Sequence, residues 1–177
     1  MNRQCGFTLT ELIITVAIAA IVIAIGVPAF QDTMRSNRMV THTNDFIGSL
    51  NLARSEAIKR GRRVALCKST DGAACTNADN WEKGWIVFVD VNNNAAVDAG
   101  EVVIRAHGPL DGDNTLKQEV GTSVSNYISY SPDGFTRLIN GAFQAGTLSF
   151  DLCSGGQKNE IILSSTGRAR LRKVSCP

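Results

Sequence analysis

The sequence predicts an α+β protein in which one long N-terminal helix precedes an antiparallel β-sheet domain. Three observations predict it. Residues 12–31 are an uncharged run of twenty, dominated by Ile, Val and Ala. Phe46, Leu50, Ala53 and Ala57 then recur at spacings of four, three and four, which is one face of an amphipathic helix. From Arg62 onward the chain reads as seven short strand segments, several of them separated by turn chemistry. The length of 177 residues suits one domain, and 44% hydrophobic with 19% charged residues excludes disorder and collagen-like order.

The first element is membrane-length. Leu12–Gln31 can span a bilayer and is too long for the apolar region of a usual secretory signal, although Arg3 would suit the start of one. A retained anchor is therefore expected. Gly26 and Pro28 would kink a soluble helix but are tolerated in membrane helices. Loop charge does not orient the anchor, because Arg3 lies on one side and Arg35 and Arg38 on the other. Glu11 stands at the entrance to the apolar run, where an ionisable group is by default functional and in need of a partner; the alternative is an interfacial carboxylate facing headgroups.

The amphipathic stretch continues the same helix. Its face opposite Phe46 carries Arg38, Asn44, Asn51, Arg54 and Lys59, and Gly61 follows Lys59 and Arg60 as a suitable stop. One helix from Thr8 to Arg60 is predicted, about 80 Å long at 1.5 Å per residue. The strands are predicted at 63–67, 85–91, 102–106, 125–130, 147–152, 160–164 and 168–174. Ser131-Pro132-Asp133-Gly134 suits a type I turn and Ser154-Gly155-Gly156 a hairpin connection. No repeat and no Pro- or Ser-rich linker divides the chain.

Net charge is only +2, but its distribution is uneven: −1 over 1–34, +5 over 35–63, −6 over 64–157 and +4 over 158–177. Catalysis finds little support. His42 and His107 are the only histidines, no nucleophile elbow, phosphate loop or HExxH motif occurs, and Ser131 with Asp133 is a poor basis for a hydrolase. No enzyme, cofactor or metal is expected. Asp90–Glu101 places oxygen ligands at positions 1, 3, 5, 9 and 12 of a calcium-type loop, but Ala95 occupies the sixth position, where that loop needs Gly. An Asn-rich surface turn is the preferred reading, with calcium the alternative. Trp85, Ile86 and Phe88 read as core.

The tail Gly167-Arg168-Ala169-Arg170-Leu171-Arg172-Lys173 alternates. In an extended strand Arg168, Arg170 and Arg172 form one row spaced about 6.6 Å, with Ala169 and Leu171 turned inward. Such a row suits a polyanion, since guanidinium groups bind phosphates without reading bases. Charged guards against edge-to-edge aggregation are the alternative. The second basic block, Lys59, Arg60, Arg62 and Arg63, either widens that surface or caps the helix end.

Three segments carry a family resemblance. Gly6-Phe7-Thr8-Leu9-Thr10-Glu11 followed by the apolar run resembles the processing site of type IV prepilins and type II secretion pseudopilins, and Pro28 is similar to the proline of that family's first helix. Trp81-Glu82-Lys83-Gly84-Trp85-Ile86-Val87-Phe88-Val89-Asp90, with Gly100-Glu101 and Arg105, resembles the GWxxFxD…GExxxR pattern of the FimT/GspH group of minor pilins and pseudopilins. Gly167-Arg168-Ala169-Arg170 resembles the GRxR motif of FimT-type minor pilins. The resemblance implies a type IV pilin-like fold and cleavage by prepilin peptidase after Gly6, so that residues 1–6, with Cys5, leave as a leader. It implies methylation of the Phe7 amine, and pairing of Glu11 with a neighbouring pilin subunit's amine.

The regions would then be a transmembrane and assembly helix over 7–31, its amphipathic second half over 32–61 and a β-rich domain over 62–177. The subunit would begin as a single-pass inner-membrane protein with a periplasmic domain and end in a pilus at the surface of a Gram-negative bacterium. In such a compartment the four remaining cysteines are expected as disulfides; of three connectivities, Cys67–Cys75 and Cys153–Cys176 are preferred because each closes a local loop. The tail motif implies sequence-independent binding of DNA for uptake in natural transformation through Gly167, Arg168 and Arg170, and the basic run adds Arg172 and Lys173 to the candidates. The alternative is a structural minor pilin or type II secretion pseudopilin that primes or caps a fibre. Four tail cations on phosphate would give a salt slope of about −3.6 and an affinity loss on the order of 10²-fold between 50 and 200 mM salt.

Overall fold

A computed structural model describes residues 8–78, 80–112, 115–119, 122–152 and 157–175. The expectations for Cys5, Gly6, Phe7, Cys153, Cys176 and the turn at 154–156 lie outside the described residues. The chain divides into two compact units, Met1–Asn37 and Arg38–Pro177. Helix α1, Leu9–Arg60, contributes to both.

In the first unit α1 opens with a reciprocal cap. The Glu11 amide donates to Thr8 Oγ1 at 3.3 Å and the Thr8 amide donates to Glu11 Oε2 at 3.5 Å, so two of the helix's orphan donors are used. The Thr15 and Thr33 hydroxyls donate to the carbonyls of Leu12 and Ala29, at 2.9 and 3.0 Å, and so do not need water. Ile14, Ile21 and Phe30 are exposed. The helix is long and apolar enough to cross a membrane.

In the second unit the spacing of four, three and four does what helical periodicity dictates: Phe46, Leu50, Ala53 and Ala57 are all buried. They pack against two antiparallel four-stranded sheets rather than one. The first has β1 (Val64–Lys68), β2 (Trp85–Val89), β3 (Val103–His107) and β5 (Tyr127–Tyr130) in the order β3-β2-β1-β5. The second has β4 (Thr115–Gln118), β6 (Gly146–Leu152), β7 (Gln157–Leu163) and β8 (Ala169–Ser175) in the order β4-β6-β7-β8. Each predicted strand is present within a few residues. β4 had no signal, because Leu116 is its single apolar residue; its register opposite Phe150 of β6 makes it a strand.

The aromatic centre joins helix to sheet. Phe46 packs edge-on against Trp81, Trp85 and Phe150, with ring centroids 5.4, 5.0 and 6.3 Å away. The buried indoles keep partners: Trp81 Nε1 donates to the Val124 carbonyl at 3.2 Å and Trp85 Nε1 to Ser49 Oγ at 3.0 Å. β1 and β2 are buried along their whole length, which explains their unbroken apolar runs. Their outer face, Ala65, Cys67, Ile86 and Phe88, is covered by Cys75, Val97, Val103 and Tyr127.

Cys67 and Cys75 form the expected disulfide, with Cα atoms 5.6 Å apart. It closes the loop over that outer cluster. Replacing both by Ser is expected to lower unfolding free energy by roughly 2–3 kcal/mol, the chain-entropy value for so short a loop, in urea denaturation of the oxidised protein.

Candidate nucleic-acid interface

The tail is presented by a hairpin that the rest of the domain holds in place. The Ser164 amide donates to the Arg168 carbonyl at 3.0 Å and the Gly167 amide to the Ser164 carbonyl at 2.9 Å, so Ser165, Thr166 and Gly167 form a three-residue loop with Gly167 at φ +77°. The Thr136 amide donates to the Ser165 carbonyl at 3.1 Å, and its hydroxyl oxygen lies 3.0 Å from the Ser164 carbonyl. Arg54 Nη2 donates to the Thr166 carbonyl at 3.2 Å. Gly167 is buried against the Ser131–Gly134 turn, itself closed by the Gly134 amide on the Ser131 carbonyl at 2.8 Å. The glycine of the tail motif is thus a packing residue, and Arg54, which the sequence places on the face opposite Phe46, is half-buried where it secures the loop.

The five candidate tail residues do not form one set. Arg168 and Arg170 are exposed and, among the described residues, their side chains carry no hydrogen bond or ion pair. Arg170 stands opposite Ile162 and Arg172 opposite Glu160. Arg172 donates from Nε to Glu160 Oε2 at 2.8 Å and also from Nη2, while Lys158 Nζ lies 2.9 Å from Oε1. Glu160 is only 3% exposed under these two side chains. The Lys158 hydrogen bond outweighs burial and holds the carboxyl below its ordinary pKa; the same contact raises the Lys158 ammonium. Lys173 stands opposite Asn159, whose amide donates to Thr43 Oγ1 on α1 at 3.1 Å, so it belongs to the other face of the sheet. Leu171 stands opposite buried Ile161 on the inward face, as expected, but β8 is an edge strand and Leu171 remains 43% exposed.

The second basic block is largely occupied. Lys59 and Arg60 both pair with Glu56, whose pKa the Arg60 hydrogen bond lowers. Arg63 Nη1 donates to Ser129 Oγ and to the carbonyls of Arg137 and Leu138, at 3.2, 3.2 and 3.3 Å. Neither Arg62 nor Arg63 carries an ion pair among the described residues, and Arg62 alone of the four has neither an ion pair nor a side-chain hydrogen bond. The block therefore finishes the helix and ties it to the 137–138 segment.

The Asp90–Glu101 loop spends its carboxylates on itself. Asp90 accepts the amides of Asn94 and Ala95, each at 3.1 Å, Glu101 accepts those of Val91 and Asp98 at 2.7 and 3.1 Å, and Asp98 accepts the side-chain amides of Asn92 and Asn94. Burial nonetheless raises the Asp90 pKa, against these hydrogen bonds. Among the described residues no three His, Cys, Asp or Glu side chains come together as a metal-binding group. His42 is buried on α1, and His107 stacks flat on Trp85, 3.9 Å between centroids, with Nε2 3.6 Å from Asp45. Trp85, Ile86 and Phe88 are core, as the sequence predicts.

Sequence reasoning missed Glu160 and Arg54. Glu160 was recoverable, since it lies as far before Thr166 as Arg172 lies after it. Arg54 was not, because 112 residues separate it from its partner.

Residues 42–167 match the family of type II transport protein GspH, and residues 1–27 match the prokaryotic N-terminal methylation motif. Over 175 residues, 97% of this chain and 99% of the relative, the chain is 27% identical to pilin-like protein PilA1 of Thermus thermophilus. The type IV minor pilin FimU of Pseudomonas aeruginosa is similar with a TM-score of 0.59 at 17% identity, covering 79% of this chain and 92% of that one. The minor pseudopilin EpsH of the Vibrio cholerae type 2 secretion system is similar with a TM-score of 0.50 at 13% identity, covering 78% and 97%. These two structures establish the pilin fold. With the GspH match spanning most of the β domain and the methylation-motif match reaching into the apolar helix that anchors it in the inner membrane, the chain belongs to the GspH family of pilin-type subunits.

Proposed function

We propose that this subunit is a minor type IV pilin that binds extracellular DNA without sequence preference, for uptake in natural transformation. The observation that carries the reading is the pair Arg168 and Arg170: two exposed guanidinium groups without acidic partners among the described residues, on a hairpin fastened by Arg54, Thr136 and the Gly134–Gly167 contact. Guanidinium forks suit phosphate oxygens and carry no base readout. Before assembly, prepilin peptidase cleaves after Gly6 and the Phe7 amine is methylated; in the fibre Glu11 exchanges its cap on Thr8 for the amine of a neighbouring subunit. Residues 7–31 serve membrane and fibre, 32–61 join helix to domain, and 62–177 form the β-rich domain at the cell surface. The match to a type II transport protein supports a second reading, a structural minor pilin or pseudopilin that primes or caps a fibre and contacts only other subunits.

Fluorescence anisotropy of labelled random-sequence duplex, with the full chain in non-ionic detergent, separates the two. Salt-sensitive binding, equal for unrelated duplex sequences, is expected, and Arg168→Gln/Arg170→Gln is expected to weaken it more than tenfold at 50 mM salt without moving the melting temperature, since each lost phosphate contact is worth roughly 1.5 kcal/mol or more. No binding at low salt leaves the structural reading; equal binding by the double variant overturns Arg168 and Arg170 as the site.

A further inference from the structure

We propose that Glu160 sets the number of cations the tail offers to a polyanion, holding it at two. This inference rests on the DNA-binding reading of Arg168 and Arg170. The sequence places five basic residues and one acid between 158 and 177, and the acid lies under the basic side chains. Its two carboxylate oxygens are divided: Oε1 takes Lys158, and Oε2 takes two N–H groups of Arg172. The guanidinium fork that would clasp a phosphate is spent on a carboxylate, and a phosphate arriving there meets a second anion. Arg172 is 60% exposed at its side chain, so its commitment comes from charge pairing and not from burial. Lys173 adds nothing to this face.

The count is measurable, because each neutralised phosphate of a duplex contributes about −0.9 to the slope of log affinity against log salt. Two contacts give a slope of about −1.8, hence roughly a tenfold loss between 50 and 200 mM salt; four give about −3.6 and a loss on the order of 10²-fold. Glu160→Gln releases Arg172 and Lys158 and should move the slope from the first value toward the second. Asp98→Asn, on the loop between β2 and β3, makes the same change in net charge away from the tail and should leave the slope at the wild-type value. Adding Arg172→Gln to Glu160→Gln should take back about 0.9 of the gain.

The experiment is anisotropy with a random-sequence duplex across salt, on the full chain in non-ionic detergent, beside the salt needed to elute each variant from heparin. A wild-type slope near −1.8 that steepens in Glu160→Gln but not in Asp98→Asn supports the proposal. A wild-type slope near −3.6 overturns it without any variant, so a misfolded Glu160→Gln does not shield it. Equal slopes for Glu160→Gln and Asp98→Asn overturn it as well. If the wild type ignores DNA, the DNA-binding reading fails separately and heparin decides: later elution of Glu160→Gln than of Asp98→Asn upholds the charge-setting role, and co-elution refutes it.

Discussion

Phe46→Ala is expected to destabilise the protein by roughly 3–5 kcal/mol, the range for deleting a fully buried aromatic ring. Phe46 is 0% exposed and is the side chain of α1 that touches Trp81, Trp85 and Phe150 at once. Trp85 belongs to one sheet, Phe150 to the other, and Trp81 to the short turn Trp81–Lys83. Removing the ring leaves a void bounded by three large rings that are themselves held, two of them by indole hydrogen bonds, so collapse into the space is limited. Urea unfolding of the full chain in non-ionic detergent, followed by tryptophan fluorescence, measures the loss directly. A change below about 1.5 kcal/mol would mean that the helix and the two sheets repack freely and that the aromatic cluster does not hold them together.

Gly167→Ala is the second large expectation, and it joins stability to the proposed site. A Cβ at residue 167 would lie 2.1 Å from the Gly134 carbonyl oxygen and 3.1 Å from Tyr130 Cε1, so backbone must move. The left-handed φ of +77° adds strain of about 1–2 kcal/mol for any L side chain. Gly141 has a similar φ of +87°, and a Cβ there would meet nothing within 4 Å, which makes Gly141→Ala the control for strain alone. The expected result is a loss of about 1 kcal/mol for Gly141→Ala and of about 3 kcal/mol or more for Gly167→Ala, by urea unfolding. DNA affinity should fall in Gly167→Ala only, since the displaced hairpin carries Arg168. Equal losses for the two variants would show that the Gly134 contact yields at little cost.

Much of this was legible in the residues themselves. The uncharged run, the spacing of Phe46, Leu50, Ala53 and Ala57, the strand segments and the Ser131–Gly134 turn are patterns among near neighbours in the chain, and such local patterns declare the geometry that satisfies them. The Thr8–Glu11 cap was equally local and could have been read from its three-residue spacing. β4 could not, because four residues with one apolar side chain become a strand only when β6 offers an edge.

The candidate site divides along the same line. Sequence alone determined that a cluster of cations sits on an alternating strand at the end of the chain. Which of them are free was decided by tertiary structure: the β7–β8 register puts Glu160 beneath Arg172 and Lys173 on the opposite face, and Arg54 meets Thr166 across 112 residues. Alternation is a property of one strand, whereas charge pairing depends on which segment folds beside it, and the short range of a hydrogen bond makes that neighbour decisive.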